Sequence, residues 1–201
     1  MAEKHKAIVR MEMSENRKII KKQVAEEIFT GPDAVEQKKR LRMITEFDPA
    51  VNELFFAKRV VLVEGDTEIA VFQKAAELMG LFSRNPHAKR DVTFINCHGK
   101  WTITLFLEVL NHFGVKYIAF HDEDQDKGGN ALQANDAIGA LIHPPNERYM
   151  FSPNDLESLL GYDASKKDKP IRALTKVEEL ARTNSIPRAF QEHVKVAWGI
   201  N

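Results

Sequence analysis

The sequence predicts an α/β fold: a parallel sheet flanked by helices, preceded by a helical segment. Three observations point there. From residue 60 onward, short apolar runs alternate with amphipathic stretches of helical spacing, the pattern of strand-helix-strand units whose strands pair in parallel. Residues up to about 58 instead carry helical spacing alone. At 201 residues the chain is long enough for a substantial core without disulfides, and its single cysteine, Cys97, excludes an internal one.

The elements follow in order. Ile19, Ile20, Val24 and Ile28 gather on one helical face before a break at Thr30-Gly31-Pro32-Asp33. A second helix runs through Leu41, Met43 and Ile44, and Asp48-Pro49 reads as an N-cap with proline at the first helical position of a short helix through Leu54, Phe55 and Phe56. Val60-Val61-Leu62-Val63 reads as a buried strand, and residues 67–79 as a helix stopped by Gly80. Val92 to Ile95 is the second strand. Trp101 to Phe113 is a helix closed by Gly114, Val115 to Phe120 the third strand, and Arg148 to Phe151 the fourth. Ser152 is then the expected N-cap of a helix with Pro153 at its first position. A division follows: residues 1–58 as a helical subdomain, and residues 59–201 as the main α/β domain with C-terminal helices.

Composition narrows the function. Twenty-nine Lys and Arg balance 29 Asp and Glu, so a polyanion binder acting through bulk charge is excluded. A nucleic-acid role must rest on local patches or on metal ions. Lys38, Lys39, Arg40 and Arg42 form one basic cluster, although a run of this size is usually a solvated face. No apolar run approaches the roughly 20 residues of a membrane span, no secretory signal opens the chain, and one cysteine suits a reducing, cytoplasmic compartment. The abrupt, charged start fits either a piece of a larger protein or a naturally short one.

Ligands of parallel sheets bind beyond the carboxyl ends of the strands. After the first strand stand Glu64 and Gly65, with Glu68 in the first turn of the following helix. After the third come Asp122 and Asp124, which share one side if the extended backbone continues, with Glu123 on the other. After the fourth come Ser152 and Glu157. Crowded carboxylates persist only if cations neutralise them, protons do, or water separates them. Oxygen ligands without a Cys or His pair point to Mg2+ or Mn2+ rather than zinc. A lone acidic residue after a strand is more often a cap or a solvated loop residue, and Glu123 and Asp126 are read so. An EF-hand is discounted because Asp122-x-Asp124-x-Asp126-x-Gly128 lacks the Glu at the twelfth position.

The Val61-Leu62-Val63-Glu64-Gly65 run, followed by a strand ending in Asp122-x-Asp124, resembles the TOPRIM domain of topoisomerases, primases and some nucleases. With Phe47-Asp48-Pro49 and Asn52-Glu53-Leu54-Phe55-Phe56-Ala57-Lys58, the stretch from 47 to about 175 is similar to the C-terminal region of OLD-family (overcoming lysogenisation defect) nucleases. The resemblance implies a TOPRIM-like sheet and a metal-dependent DNA endonuclease acting through two Mg2+ or Mn2+ ions. It implies metal ligands at Glu64, Glu68, Asp122, Asp124, Ser152 and Glu157. It also implies a catalytic lysine, best matched by Lys169, with Lys166, Lys167 and Lys176 as competitors. The family usually joins this domain to an ABC-type ATPase. These 201 residues contain no Gly-x-x-x-x-Gly-Lys-Ser/Thr loop, so that partner domain lies outside them.

Other readings compete. A TOPRIM nucleotidyl transferase of topoisomerase type would need a nucleophilic tyrosine, and none of Tyr117, Tyr149 or Tyr162 lies in a recognisable setting. A non-catalytic DNA-binding or assembly module would use the helices to form a homo-oligomer. A dehalogenase-type phosphatase would want threonine two residues after Asp124, where Asp126 stands. In the loop after the second strand, Gly99-Lys100 reads either as a phosphate contact at a helix start or as a plain turn, and His98 as a surface residue. Cys97, Trp101, Phe106 and Phe113 read as core.

Overall fold

The computed structural model describes residue 6 and residues 8–14, 16–47, 49–163 and 168–200. Its centre is a four-stranded, all-parallel sheet in the order β4-β3-β5-β6, built from β3 (Arg59–Val63), β4 (Val92–Asn96), β5 (Tyr117–Asp122) and β6 (Glu147–Phe151). The order arises because β3 sends the chain to one neighbour, β4, and the chain then crosses back to lay β5 on the other side. A mixed α/β fold with helices on a parallel sheet is the class that the alternating pattern implies.

β3 is apolar and buried from Val60 to Val63 because both of its faces are covered there, as central parallel strands require. Val60 and Leu62 face one core, packed by Phe106 and Leu110 of α6 (Lys100–Phe113). Val61 and Val63 face a second core, made by α3 (Asp66–Leu78), α9 (Lys169–Arg182) and α10 (Arg188–Trp198). Glycines in the left-handed region stop two helices where the sequence places them, Gly80 (φ 67°) after α3 and Gly114 (φ 57°) after α6. Phe72 sits at the middle of the second core, with ring centroids of Phe120, Phe190 and Phe94 at 4.8, 5.7 and 5.9 Å. Trp198 closes α10 against it, its indole N–H donating to the Phe72 carbonyl at 3.2 Å.

The N-terminal segment corrects one expectation. Ile19 and Ile20 do not lie on a helix: β1 (Val9–Met13) and β2 (Ile19–Gln23) form an antiparallel hairpin. The run Val9-Arg10-Met11-Glu12-Met13 alternates with period two, a strand signal that the helical spacing of Ile19, Ile20, Val24 and Ile28 masks. Arg10 and Lys22 turn toward the body and donate to the Gly114 carbonyl at 3.3 and 3.1 Å. The expected second helix is present as α1 (Ala34–Phe47), followed by α2 (Pro49–Glu53). Asp48, the expected cap of α2, lies outside the described residues. Val24, Ile28, Phe29 and Leu41 join the core on the α6 side of the sheet.

Short helices α4 (Leu81–Arg84) and α5 (Ala88–Asp91) lead into β4, and α7 (Gly129–Leu141) connects β5 to β6. The sequence pattern does not announce α7, whose Gly, Asn and Gln content gives weak periodicity. After β6 the expected Ser152 cap is also corrected. Ser152 is exposed, and α8 (Leu156–Leu160) begins four residues later, capped by Asp155, whose carboxylate accepts the Ser158 backbone N–H at 2.8 Å. Trp101, expected in the core, is 39 % exposed and donates to Asn130 Oδ1 at 3.0 Å, while Phe106 and Phe113 are fully buried. Among the described residues, no helix is long and apolar enough to cross a membrane.

Because Phe72 is buried by four other phenylalanine rings, Phe72→Ala should lower unfolding free energy by about 3–5 kcal/mol in denaturant titrations. A loss under 1 kcal/mol would show that the second core is not packed as described.

Candidate metal centre

β3 and β5 are neighbours whose onward connections leave toward opposite edges of the sheet, so a crevice opens beyond their carboxyl ends. Glu64 is the first residue past β3, and Asp122 is the last of β5. The Asp122 backbone N–H donates to Glu64 Oε1 at 2.8 Å, tying the two strand ends together. One carboxylate oxygen each from Glu64, Asp122 and Asp124 lies within 4.8 Å of the others.

Asp124 reaches this cluster by a route other than continued strand. Its φ of 54° is left-handed, a conformation that aspartate tolerates better than most residues, and its backbone N–H donates to the Asn154 carbonyl at 2.8 Å. The chain therefore turns after β5 and docks on the loop behind β6. Asp122 Oδ1 accepts the Leu156 N–H at 3.2 Å, so the start of α8 is held to the same point. Glu123 points elsewhere and accepts from the Gln125 amide at 2.6 Å.

Glu68 is buried in the first turn of α3, and Glu157 is buried in α8. Gly65 is extended (φ −157°), so no turn demands a glycine there; a Cβ would instead stand 3.3 Å from Glu68 Oε2. The missing side chain makes room for that carboxylate. Lys169, first residue of α9, sets its ammonium directly against Glu157 Oε1. Of its competitors, Lys176 faces Glu179 at 3.5 Å on the same helix, and Lys166 and Lys167 lie outside the described residues. The structure thus gathers Glu64, Asp122 and Asp124 closely, sets Glu68, Glu157 and Lys169 around them, and leaves Ser152 exposed.

Lys100 is the site residue whose role the sequence does not disclose. Gly99, at φ 115°, and His98, at φ 53°, bend the loop after β4 so that Lys100 enters α6 pointing inward. Its ammonium donates to Asp124 Oδ2 and to the Asp122 carbonyl, both at 2.7 Å, and stands 3.9 Å from Glu64 Oε1. The expected choice between phosphate contact and plain turn resolves into a buried ion pair. His98 is exposed, as a surface histidine would be, and Cys97 is buried.

The electrostatics follow from crowding. Burial, with the charges of Glu64, Asp124 and Glu157, pushes the Asp122 carboxyl up to about 7. Burial, with the charges of Asp122 and Glu157, pushes Glu68 up to about 7. Glu64 is raised as well, by burial first and then by Glu68 and Asp124. Burial acts upward on Asp124 too, but hydrogen bonds from Lys100 and Lys127 outweigh it and hold this carboxyl below its ordinary range. The result is a set of buried oxygen donors with two carboxyls that resist ionising at neutral pH, a donor set that fits a hard divalent cation.

A carboxyl raised on folding favours the folded state while protonated. That contribution is complete below its ordinary value near 4 and is lost as pH rises through about 7. Metal-free protein should therefore lose Tm between pH 5 and 8. Asp122→Asn should raise its Tm at pH 8 by about 2–4 °C, the shift that roughly 1 kcal/mol produces in a chain of this size. Calorimetry with and without chelator checks this, and a variant less stable than wild type at pH 8 would contradict the crowding.

Comparison with known proteins reaches the same region. Residues 55–124 match the family model described as the overcoming lysogenization defect protein-like TOPRIM domain, a span running from just before β3 to Asp124. The chain is 27 % identical over 196 residues to an OLD nuclease of Thermus scotoductus, with 89 % of this chain aligned. The aligned part is 36 % of that relative, so the chain spans about a third of its length. A helix-flanked parallel sheet with an acidic cluster at its strand ends agrees with this similarity to OLD-family TOPRIM proteins.

Proposed function

We propose that the chain is the nuclease portion of a longer protein and cleaves DNA as a Mg2+- or Mn2+-dependent endonuclease, with the ABC-type ATPase of the family outside these residues. The observation that carries this reading is the triad of half-buried Glu64 with buried Asp122 and Asp124, whose oxygens lie within 4.8 Å at adjacent parallel strand ends. Support comes from the nuclease relative and the TOPRIM match. Divalent ions, when bound, supply Lewis acidity both for water activation and for the departing 3′ oxygen.

The triad would hold one ion, and Glu68 with Glu157 offer carboxylates for a second. Ser152 would have to turn inward from an exposed position to join them. The Asp122 N–H fixes Glu64, the Leu156 N–H fixes Asp122, and Lys100 fixes Asp124, so the donors are set before substrate arrives. Lys169, paired with Glu157, would meet the non-bridging oxygens of the scissile phosphate. Hydrolysis rather than transfer to tyrosine suits this site. Tyr117 is buried and bonded to Asn111, Tyr149 is bonded to Glu147 and pushed up to about 12, and burial beside Glu157 and Glu68 pushes Tyr162 up.

The purified chain should nick or cut supercoiled plasmid in Mg2+ or Mn2+ and be silent in EDTA. Asp122→Ala should abolish cleavage while leaving the circular dichroism spectrum unchanged. Lys169→Met should lower turnover by about 10²–10³, as loss of a charge on a developing oxyanion does. Intact plasmid across all divalent metals, or full activity in Asp122→Ala, would overturn the assignment.

A further inference from the structure

The two oxygens of Asp124 are divided between two ammonium groups of unlike mobility. Lys100 Nζ holds Oδ2 at 2.7 Å, and Lys127 Nζ holds Oδ1 at 2.6 Å. Each oxygen already faces an ammonium, so a cation entering the triad meets like charge on both sides and gains if one ammonium withdraws. Lys100 cannot leave easily: its side chain is 7 % exposed, and the Asp122 carbonyl and Glu64 surround the same ammonium. Lys127 can. Its side chain is 56 % exposed, on the turn before α7 at the open rim of the crevice. An ammonium with water beside it is rehydrated as it leaves, so Lys127 gives up its carboxylate oxygen at less cost than buried Lys100 would.

We propose that Lys127 is an exchangeable counter-ion: it guards the Asp124 oxygen that a divalent cation takes, swings out as the cation enters, and then engages a DNA phosphate at the rim. Lys100 keeps the other oxygen throughout and holds Asp124 in register. The acidic site is thereby neutralised without metal and gains a free positive charge at the moment it becomes loaded. This rests on the nuclease reading for the phosphate, whereas the exchange itself concerns only the cation.

The test is Mn2+ binding to the whole 201-residue chain without DNA, by isothermal titration and by the loss of the free-ion spin-resonance signal. Lys127→Ala should bind Mn2+ about two- to fivefold more tightly than wild type, since the competing charge is gone, and Lys127→Arg should restore wild-type affinity. Binding of duplex DNA in Ca2+ should lose about 0.9 from its logarithmic salt slope in Lys127→Ala, one phosphate contact. Equal or weaker Mn2+ affinity in Lys127→Ala overturns the exchange. An unchanged salt slope with tighter Mn2+ overturns the phosphate contact alone. If wild type and variant both fail to take up Mn2+, the nuclease reading and this one fall together.

Discussion

The rest of the structure depends on keeping Glu64, Asp122 and Asp124 together at two adjacent strand ends. Three carboxylates with oxygens within 4.8 Å of one another repel, and the sheet alone relieves them only in part. Each neighbouring element supplies part of the compensation. The Asp122 N–H meets Glu64, α8 offers a backbone N–H to Asp122, and α6 delivers Lys100 to Asp124. What remains uncompensated appears as carboxyls at Asp122 and Glu68 that hold their protons to about pH 7.

That constraint explains features remote from any single residue. β3 must be central, and apolar over Val60–Val63, so that its carboxyl end opens between two parallel neighbours. The aromatic core around Phe72 fixes α3, and so Glu68, against β5 and the C-terminal helices. Those helices matter to the site as well as to the core: α9 packs on α3 and its first residue is Lys169. The cationic groups are graded by depth, with Lys100 buried and Lys127 and Lys169 at the rim.

The basic cluster of α1 illustrates how charge is spent within the chain. Lys38 pairs with Glu27 at 2.5 Å, and Arg40 donates to Thr102 at the start of α6 at 2.5 Å. Two members of that cluster thus serve to fasten the segment before the sheet. Zero net charge therefore averages over unlike parts, with acidic residues gathered at one edge of the sheet.

Much of the fold and the acidic cluster was legible in the sequence because they depend on local pattern. Apolar runs at 60–63 and 92–95, glycine stops at 80 and 114, and acidic residues just after strands are properties of neighbouring residues, read through periodicity and capping. The hairpin at Val9–Gln23 was hidden because its Ile and Val spacing also fits a helix, and only pairing of β1 with β2 decides between them. Asp155 rather than Ser152 caps α8 because both are good caps and the docking of this loop under Asp124 selects one. Lys100 could not be assigned from sequence at all. A lysine after glycine points to solvent unless a buried carboxylate waits beneath it, and which carboxylates lie beneath is set by β5 crossing to the far side of β3. By itself, then, the sequence determined the four parallel strands, most of the helices around them and the acidic groups at their ends. Tertiary structure alone decided how they are neutralised, because charge compensation is settled by distances across the sheet and not by spacing along the chain.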